Sequence, residues 1–162
     1  MGYMPKIKVL PLILSVGICF LAAGIGSLFT TSAIDTWYTT LQKPFFNPPN
    51  WIFGPVWTLL YFMMGISLYT FWNTKTPTDE KRQGLSFFFV QLALNVLWSI
   101  LFFGLKSPIG AFIGIIVLWF VIYLTMRKFL EASKLAGWLL IPYLAWVSFA
   151  TVLNLSIVFL NP

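Results

Sequence analysis

The sequence predicts an all-α integral membrane protein, a bundle of five transmembrane helices with a short amphipathic helix in the first outer loop. Three observations carry this. Apolar residues make up 59% of the 162 and charged residues only 9%, against roughly 25% charged in a typical soluble domain. Mean hydropathy is +0.88, so there is too little polar surface to coat a soluble globule. Five segments reach or approach the roughly 20 apolar residues that cross hydrocarbon at about 1.5 Å per residue. None of them alternates with the period of two that a membrane barrel requires.

In order, the expected spans are Ile7–Phe29, Trp51–Trp72, Leu85–Leu105, Ile109–Met126 and Leu135–Leu160, within a single domain over 1–162. Lys6 and Lys8 ahead of the first apolar run also match the start of a signal peptide. That run is longer than an ordinary signal core, and its removal would leave four helices, so the first span is read as retained. Pro48-Pro49-Asn50 gives the second span a stiff entry with Asn50 as N-cap, and Ser107 precedes Pro108 as the cap of the fourth. Pro55 and Pro142 fall inside spans, where each removes a backbone hydrogen bond and kinks the helix.

Charge sets the orientation. Lys6, Lys8, Lys75, Lys81, Arg82, Arg127, Lys128 and Lys134 fall on one side, and only Lys43 and Lys106 on the other. This puts the N-terminus inside and the C-terminus outside, in a bacterial plasma membrane. The net charge of +6 is spread singly or in short clusters between apolar runs. It therefore points to lipid headgroups rather than nucleic acid as the partner.

Composition also limits the chemistry. With no histidine and one cysteine, Cys19, the chain has no internal disulfide, no His-based metal site and no Ser-His or Cys-His pair. No metal ligands are expected. The spans hold no Asp, Glu, Lys, Arg or His apart from their ends, which argues against ion pumps, proton relays and carriers of charged cargo. Any cargo held at depth is apolar and compatible with aromatic walls.

The stretch Thr30–Asn50 is too long and too patterned for a slack connection. Ser32 and Asp35 form a weak capping box, and Ile34, Trp37, Tyr38 and Leu41 share one apolar face before Pro44 stops the helix. Two readings stand: an aromatic belt at the headgroups, or a lid over a cavity. The stiffness of Lys43-Pro44-Phe45-Phe46-Asn47-Pro48-Pro49 favours the lid.

Polar residues inside the spans are aligned. Gln91, Asn95 and Ser99 recur at i, i+4 and i+8, with Trp98 adjacent. Trp146, Ala150 and Asn154 share a face beside Leu153, and Trp57, Tyr61 and Gly65 form a third stripe. An unpaired amide in hydrocarbon costs several kcal/mol, so Gln91, Asn95 and Asn154 are expected to hold helices together. The tryptophans either pack or anchor, or they wall a flat apolar cavity. Ala22-x3-Gly26 and Gly110-x3-Gly114 fit the small-residue pattern of close helix contacts, including dimer contacts.

Taken together, Trp37-Tyr38, Leu41, Lys43-Pro44, Pro48-Pro49-Asn50-Trp51, Gly54-Pro55-Val56-Trp57-Thr58-Leu59-Leu60-Tyr61 and Met64-Gly65 resemble the translocator protein family, also called TspO/MBR, tryptophan-rich sensory protein or peripheral-type benzodiazepine receptor. So do Gln91-Leu92-Ala93-Leu94-Asn95-Val96-Leu97-Trp98, Phe102-Phe103-Gly104, and Pro142-Tyr143-Leu144-Ala145-Trp146 with Phe149-Ala150-Thr151-Val152-Leu153-Asn154. The resemblance runs through nearly the whole chain.

It implies a five-helix bundle, often a homodimer, with a ligand pocket under the first loop. The family's ligands are tetrapyrroles such as protoporphyrin IX, isoquinoline carboxamides and benzodiazepines, and sterols in the animal branch. The implied ligand positions are Tyr38, Trp57, Asn95, Trp98, Trp146, Ala150 and Leu153, with Trp51 near the mouth. Trp57 and Trp146 match the tryptophans implicated in light-dependent porphyrin breakdown. No cofactor is implied, and without histidine an axial iron ligand is not expected, so the metal-free porphyrin suffices.

Two departures bear on this. The animal sterol stretch carries Tyr and Arg after the Ala-Thr-Val-Leu-Asn block, whereas this chain continues Leu155-Ser156-Ile157-Val158-Phe159-Leu160, which argues against tight sterol binding. Phe46 also stands where many relatives have Trp. The leading expectation is a porphyrin-binding receptor or sensor that aids transport or detoxification. An enzyme degrading protoporphyrin through Trp57 and Trp146, and a passive porphyrin or lipid transporter, are the alternatives.

Overall fold

A computed structural model describes residues 7–162; Lys6, counted above for orientation, lies outside the described residues. Those residues form only helices and connections. They are α1 (Val9–Ile34), α2 (Trp37–Thr40), α3 (Asn50–Trp72), α4 (Thr78–Ser99), α5 (Pro108–Ala132), α6 (Lys134–Trp138) and α7 (Ile141–Leu160). A π-helical turn, Ile100–Gly104, continues α4. Five helical segments are long and apolar enough to cross a membrane, α6 and α7 together making the fifth. The protein is a multi-pass integral membrane protein.

The spans close into a ring. α1 packs between α3 and α4, α5 packs on α4, α6 and α7, and α3 meets α6 and α7 to complete it. One end of the bundle carries α2 and the Asp35–Pro49 connection and is called the loop end. The other, carrying Lys75, Lys81, Arg82, Arg127, Lys128 and Lys134, is the basic end.

The basic end is solid. Phe71 stacks on Phe129 with centroids 4.0 Å apart, and Phe88 stacks on the same ring at 5.7 Å. Each such pair contributes roughly 0.5–1.5 kcal/mol beyond its buried area. Gly84 makes room for the column, because a Cβ there would meet the Phe71 ring. α1 and α3 also touch closely on this side: a Cβ on Gly65 would lie 2.7 Å from the backbone of Val16. Lys8 N–H donates to the Tyr69 hydroxyl at 3.0 Å.

Several local expectations change. α1 runs on to Ile34, so Ser32 is inside it and donates to its own helix at Phe29 O instead of capping the loop helix. The loop helix is the single turn of α2, with Ile34 and Leu41 flanking it. Asn50 is the first residue of α3 and not its cap; Pro49 precedes it without a side-chain bond. Pro142 stands at the start of α7, where its missing N–H is one of those without an intrahelical partner anyway. The fifth span is therefore interrupted at Leu139–Leu140 rather than kinked. Pro55 does lie inside α3, and Ser107 caps α5, accepting from Gly110 N–H at 3.2 Å.

The small-residue patterns make close helix contacts within the chain. Ala22 and Gly26 are buried, and a Cβ on Gly26 would come within 3.3 Å of Ser99 Oγ. A Cβ on Gly114 would sit 3.2 Å from Leu101.

Candidate functional site: a hollow at the loop end

In contrast to the basic end, the loop-end half encloses a hollow of about 460 Å³, within the roughly 300–1,000 Å³ typical of small-molecule sites. It is walled by the second half of α1, the first half of α3, the end of α4 with its π turn, and the second half of α7. Tyr38 and Ile34 border it at the loop end.

Seven of the eight positions singled out above line it: Tyr38, Trp57, Asn95, Trp98, Trp146, Ala150 and Leu153. Trp51 does not. It stands 73% exposed on the first turn of α3, and its neighbour Asn50 takes the wall position.

The floor is a hydrogen-bonded polar layer. Tyr61 hydroxyl donates to Asn95 Oδ1 at 3.0 Å, and Asn95 Nδ2 donates to the Tyr143 hydroxyl at 2.7 Å. Tyr143 in turn donates to Gln91 Oε1 at 2.8 Å. This ties α3, α4 and α7 together as the aligned amides predict, with Tyr143 as the hub. Asn154 is separate. It accepts from Trp98 Nε1 at 3.1 Å and donates to Pro108 O at 2.9 Å, joining α4, α5 and α7. Asn95 and Trp98 thus shape the wall while their polar atoms are engaged by protein.

Among the described residues, two buried side-chain nitrogens lack a partner, Gln91 Nε2 and Trp146 Nε1. Gln91 lies outside the lining, but Trp146 is part of it. Its indole N–H is shielded from solvent in an aromatic wall, with Phe53 and Phe149 packed on its ring at 6.1 and 5.4 Å. Such a donor is left costly until an acceptor reaches it. Trp57 stands over the floor, its ring 5.7 Å from Tyr61 and 6.3 Å from Tyr143.

The loop is pressed onto the bundle. Tyr38 is 2% exposed, packs against Phe53, Phe102 and Phe103, and donates to Asn47 Oδ1 at 2.6 Å. Trp37 packs edge-on to Phe102. Lys43 Nζ sits 4.9 Å over the Tyr38 ring and donates to Leu41 O. Burial pushes the Tyr38 phenol up to about 12. Gln42 and Asn161 exchange two hydrogen bonds of 2.9 Å, fastening the loop to the end of α7. Tyr38 therefore borders the hollow from the loop, with Trp37 packed beside it on Phe102.

A profile of the TspO/MBR family matches residues 15–160. The chain belongs to the TspO/MBR family. It is 46% identical to the tryptophan-rich protein TspO of Chlorobaculum tepidum over 155 residues, 96% of this chain and 98% of that one. It is 39% identical to the tryptophan-rich sensory protein of Cereibacter sphaeroides over 145 residues, 88% of this chain and 89% of the relative. Identity to the translocator protein of Homo sapiens is 38% over 131 residues, 80% of this chain and 78% of the other.

In this TspO/MBR chain, reading the sequence missed the contribution of α1, where Phe20, Gly24, Ser27 and Thr31 line the hollow. Their spacing of i, i+4, i+7 and i+11 marks one helix face, and that was the available signal. Phe53 and Phe102 were also overlooked. Each lies one turn from a predicted wall tryptophan, before Trp57 and after Trp98. The π turn packs Phe102 and Phe103 together at 4.9 Å, both buried, and such turns often accompany functional sites.

Proposed function

We propose that the hollow binds porphyrins, protoporphyrin IX among them, and related flat apolar ligands of the isoquinoline carboxamide or benzodiazepine type. On this reading the protein is a membrane receptor or sensor that handles porphyrins, aiding their transport or detoxification. Ligand contacts fall to Tyr38, Trp57, Trp98, Trp146, Ala150 and Leu153, with Asn95 at the floor.

The observation that carries the reading is the hollow itself, walled by the indoles of Trp57, Trp98 and Trp146. A flat macrocycle gains stacking and area burial on such walls. The names of the relatives, sensory and translocator proteins, agree with ligand handling without specifying the ligand.

Protoporphyrin titration in darkness tests it. Quenching of indole fluorescence should saturate at one porphyrin per chain and weaken in Trp146→Phe. No saturable quenching would refute the reading. The same samples under light test the enzyme alternative, which requires porphyrin absorbance to fall in proportion to protein and to persist when Trp57 and Trp146 are replaced by Phe. Should loss occur in the parent but not in those variants, the tryptophans are the reactive groups.

We further propose that the basic end faces inward across a bacterial plasma membrane, following the Lys and Arg asymmetry. Cys19, the sole native thiol, is buried, so Asp35→Cys and Asp79→Cys can be labelled cleanly. The first should react from outside and the second only from inside; the reverse would overturn the orientation.

A further inference from the structure

The hollow has a gap in its side. α1 and α3 touch at Val16 and Gly65, and nearer the loop end both line the hollow. There, Gly24, Ser27 and Thr31 on α1 and Gly54 and Thr58 on α3 line the hollow and are also exposed on the bundle exterior. A Cβ on Gly24 or Gly54 would meet nothing within 4 Å. These glycines are not filling a close contact, unlike Gly65; they border open space. Phe20, also in the lining, is 37% exposed one turn below Gly24.

The rim suits hydrocarbon. Ser27 donates to Gly24 O, Thr31 to Ser27 O and Thr58 to Gly54 O, each at 2.8 Å. No hydroxyl on the gap is left needing water, the condition for facing lipid at depth. The route past the loop is closed by comparison. Tyr38 is buried and bonded to Asn47, and the Gln42–Asn161 pair fastens the connection to α7.

We propose that the ligand enters and leaves sideways, through the slot between α1 and α3, from the hydrocarbon of the leaflet at the loop end. The loop is then a fixed roof, and the substrate class narrows to molecules that first dissolve in the bilayer. This rests on the reading that the hollow binds porphyrin.

The test uses the full chain in lipid nanodiscs, with protoporphyrin IX association and release followed by indole quenching. In Gly24→Leu/Gly54→Leu, which narrows the slot where there is room for side chains, both rates should fall together by about ten-fold or more. In Asn161→Ala, which removes both bonds to Gln42, they should stay within about two-fold of the parent. Unchanged rates in the slot variant, or faster rates in Asn161→Ala, would overturn the proposal. If the slot variant does not fold, the parent decides in bilayers that take up porphyrin to different extents at one aqueous concentration. Association should follow the porphyrin content of the membrane, and dependence on the aqueous concentration alone contradicts lateral entry. Absence of any binding signal in the parent instead removes the porphyrin reading, so the two failures are distinct.

Discussion

Ala150→Phe bears directly on the hollow. Ala150 lies on α7 one turn beyond Trp146 and beside Leu153, in the wall. The substitution adds a six-carbon ring to a space of about 460 Å³. Drug-sized ligands gain about 0.3 kcal/mol per atom, so a ring displacing roughly six ligand atoms costs about 2 kcal/mol. That is about thirty-fold in Kd. New stacking on the added ring returns at most about 0.5–1.5 kcal/mol, leaving a net loss of about two-fold to thirty-fold. The ring enters empty space and not a packed core, so the overpacking cost of about 1–3 kcal/mol should not appear, and the thermal midpoint in detergent should hold. Titration with protoporphyrin by indole quenching, beside a melting curve, reads both quantities. Unaltered affinity with an intact midpoint would refute the wall assignment; a collapsed midpoint would refute the space itself.

Two other outcomes are expected. Tyr143→Phe deletes the hydroxyl shared by Asn95 and Gln91. Interhelical bonds in membranes average about 0.6 kcal/mol, so losing two should cost about 1–2 kcal/mol and lower the midpoint by a few degrees. Combined with Asn95→Ala the losses should fall short of additive, and strict additivity would contradict a shared network. Tyr38, held near 12 by burial against an ordinary value of about 10, binds its proton more tightly in the folded state. Its stabilisation of the loop is therefore full below pH about 10 and is lost as pH rises through about 12. The phenolate absorbance difference between the parent and Tyr38→Phe measures this, and a titration at the ordinary tyrosine value would contradict the buried seat.

What the sequence made legible follows from which forces act locally. Span number and type are set by apolar length, and the wall positions on α3, α4 and α7 by helical spacing of aromatic and amide residues. Trp57, Asn95, Trp98, Trp146, Ala150 and Leu153 could all be placed on inward stripes. What failed depended on tertiary partners. Ser32 looked like a cap but prefers its own helix carbonyl, because α1 continues past it to meet α2. Tyr143 was invisible as a hub because its role needs Gln91 and Asn95 one helix away. The Ala22 and Gly26 pair marked a close helix contact, but that Ser99 is its partner depends on the packing of α1 against α4. Trp51 was placed near the mouth by resemblance; it stands exposed beside the wall residue Asn50, without itself lining the hollow.

The central claim is that an indole-walled hollow at the loop end is the ligand site. A structure of the chain in lipid with protoporphyrin IX tests it most directly. The account predicts the macrocycle within the hollow, against the rings of Trp57 and Trp146. A macrocycle seated on the lipid-facing surface, with the hollow left vacant or collapsed, would contradict it.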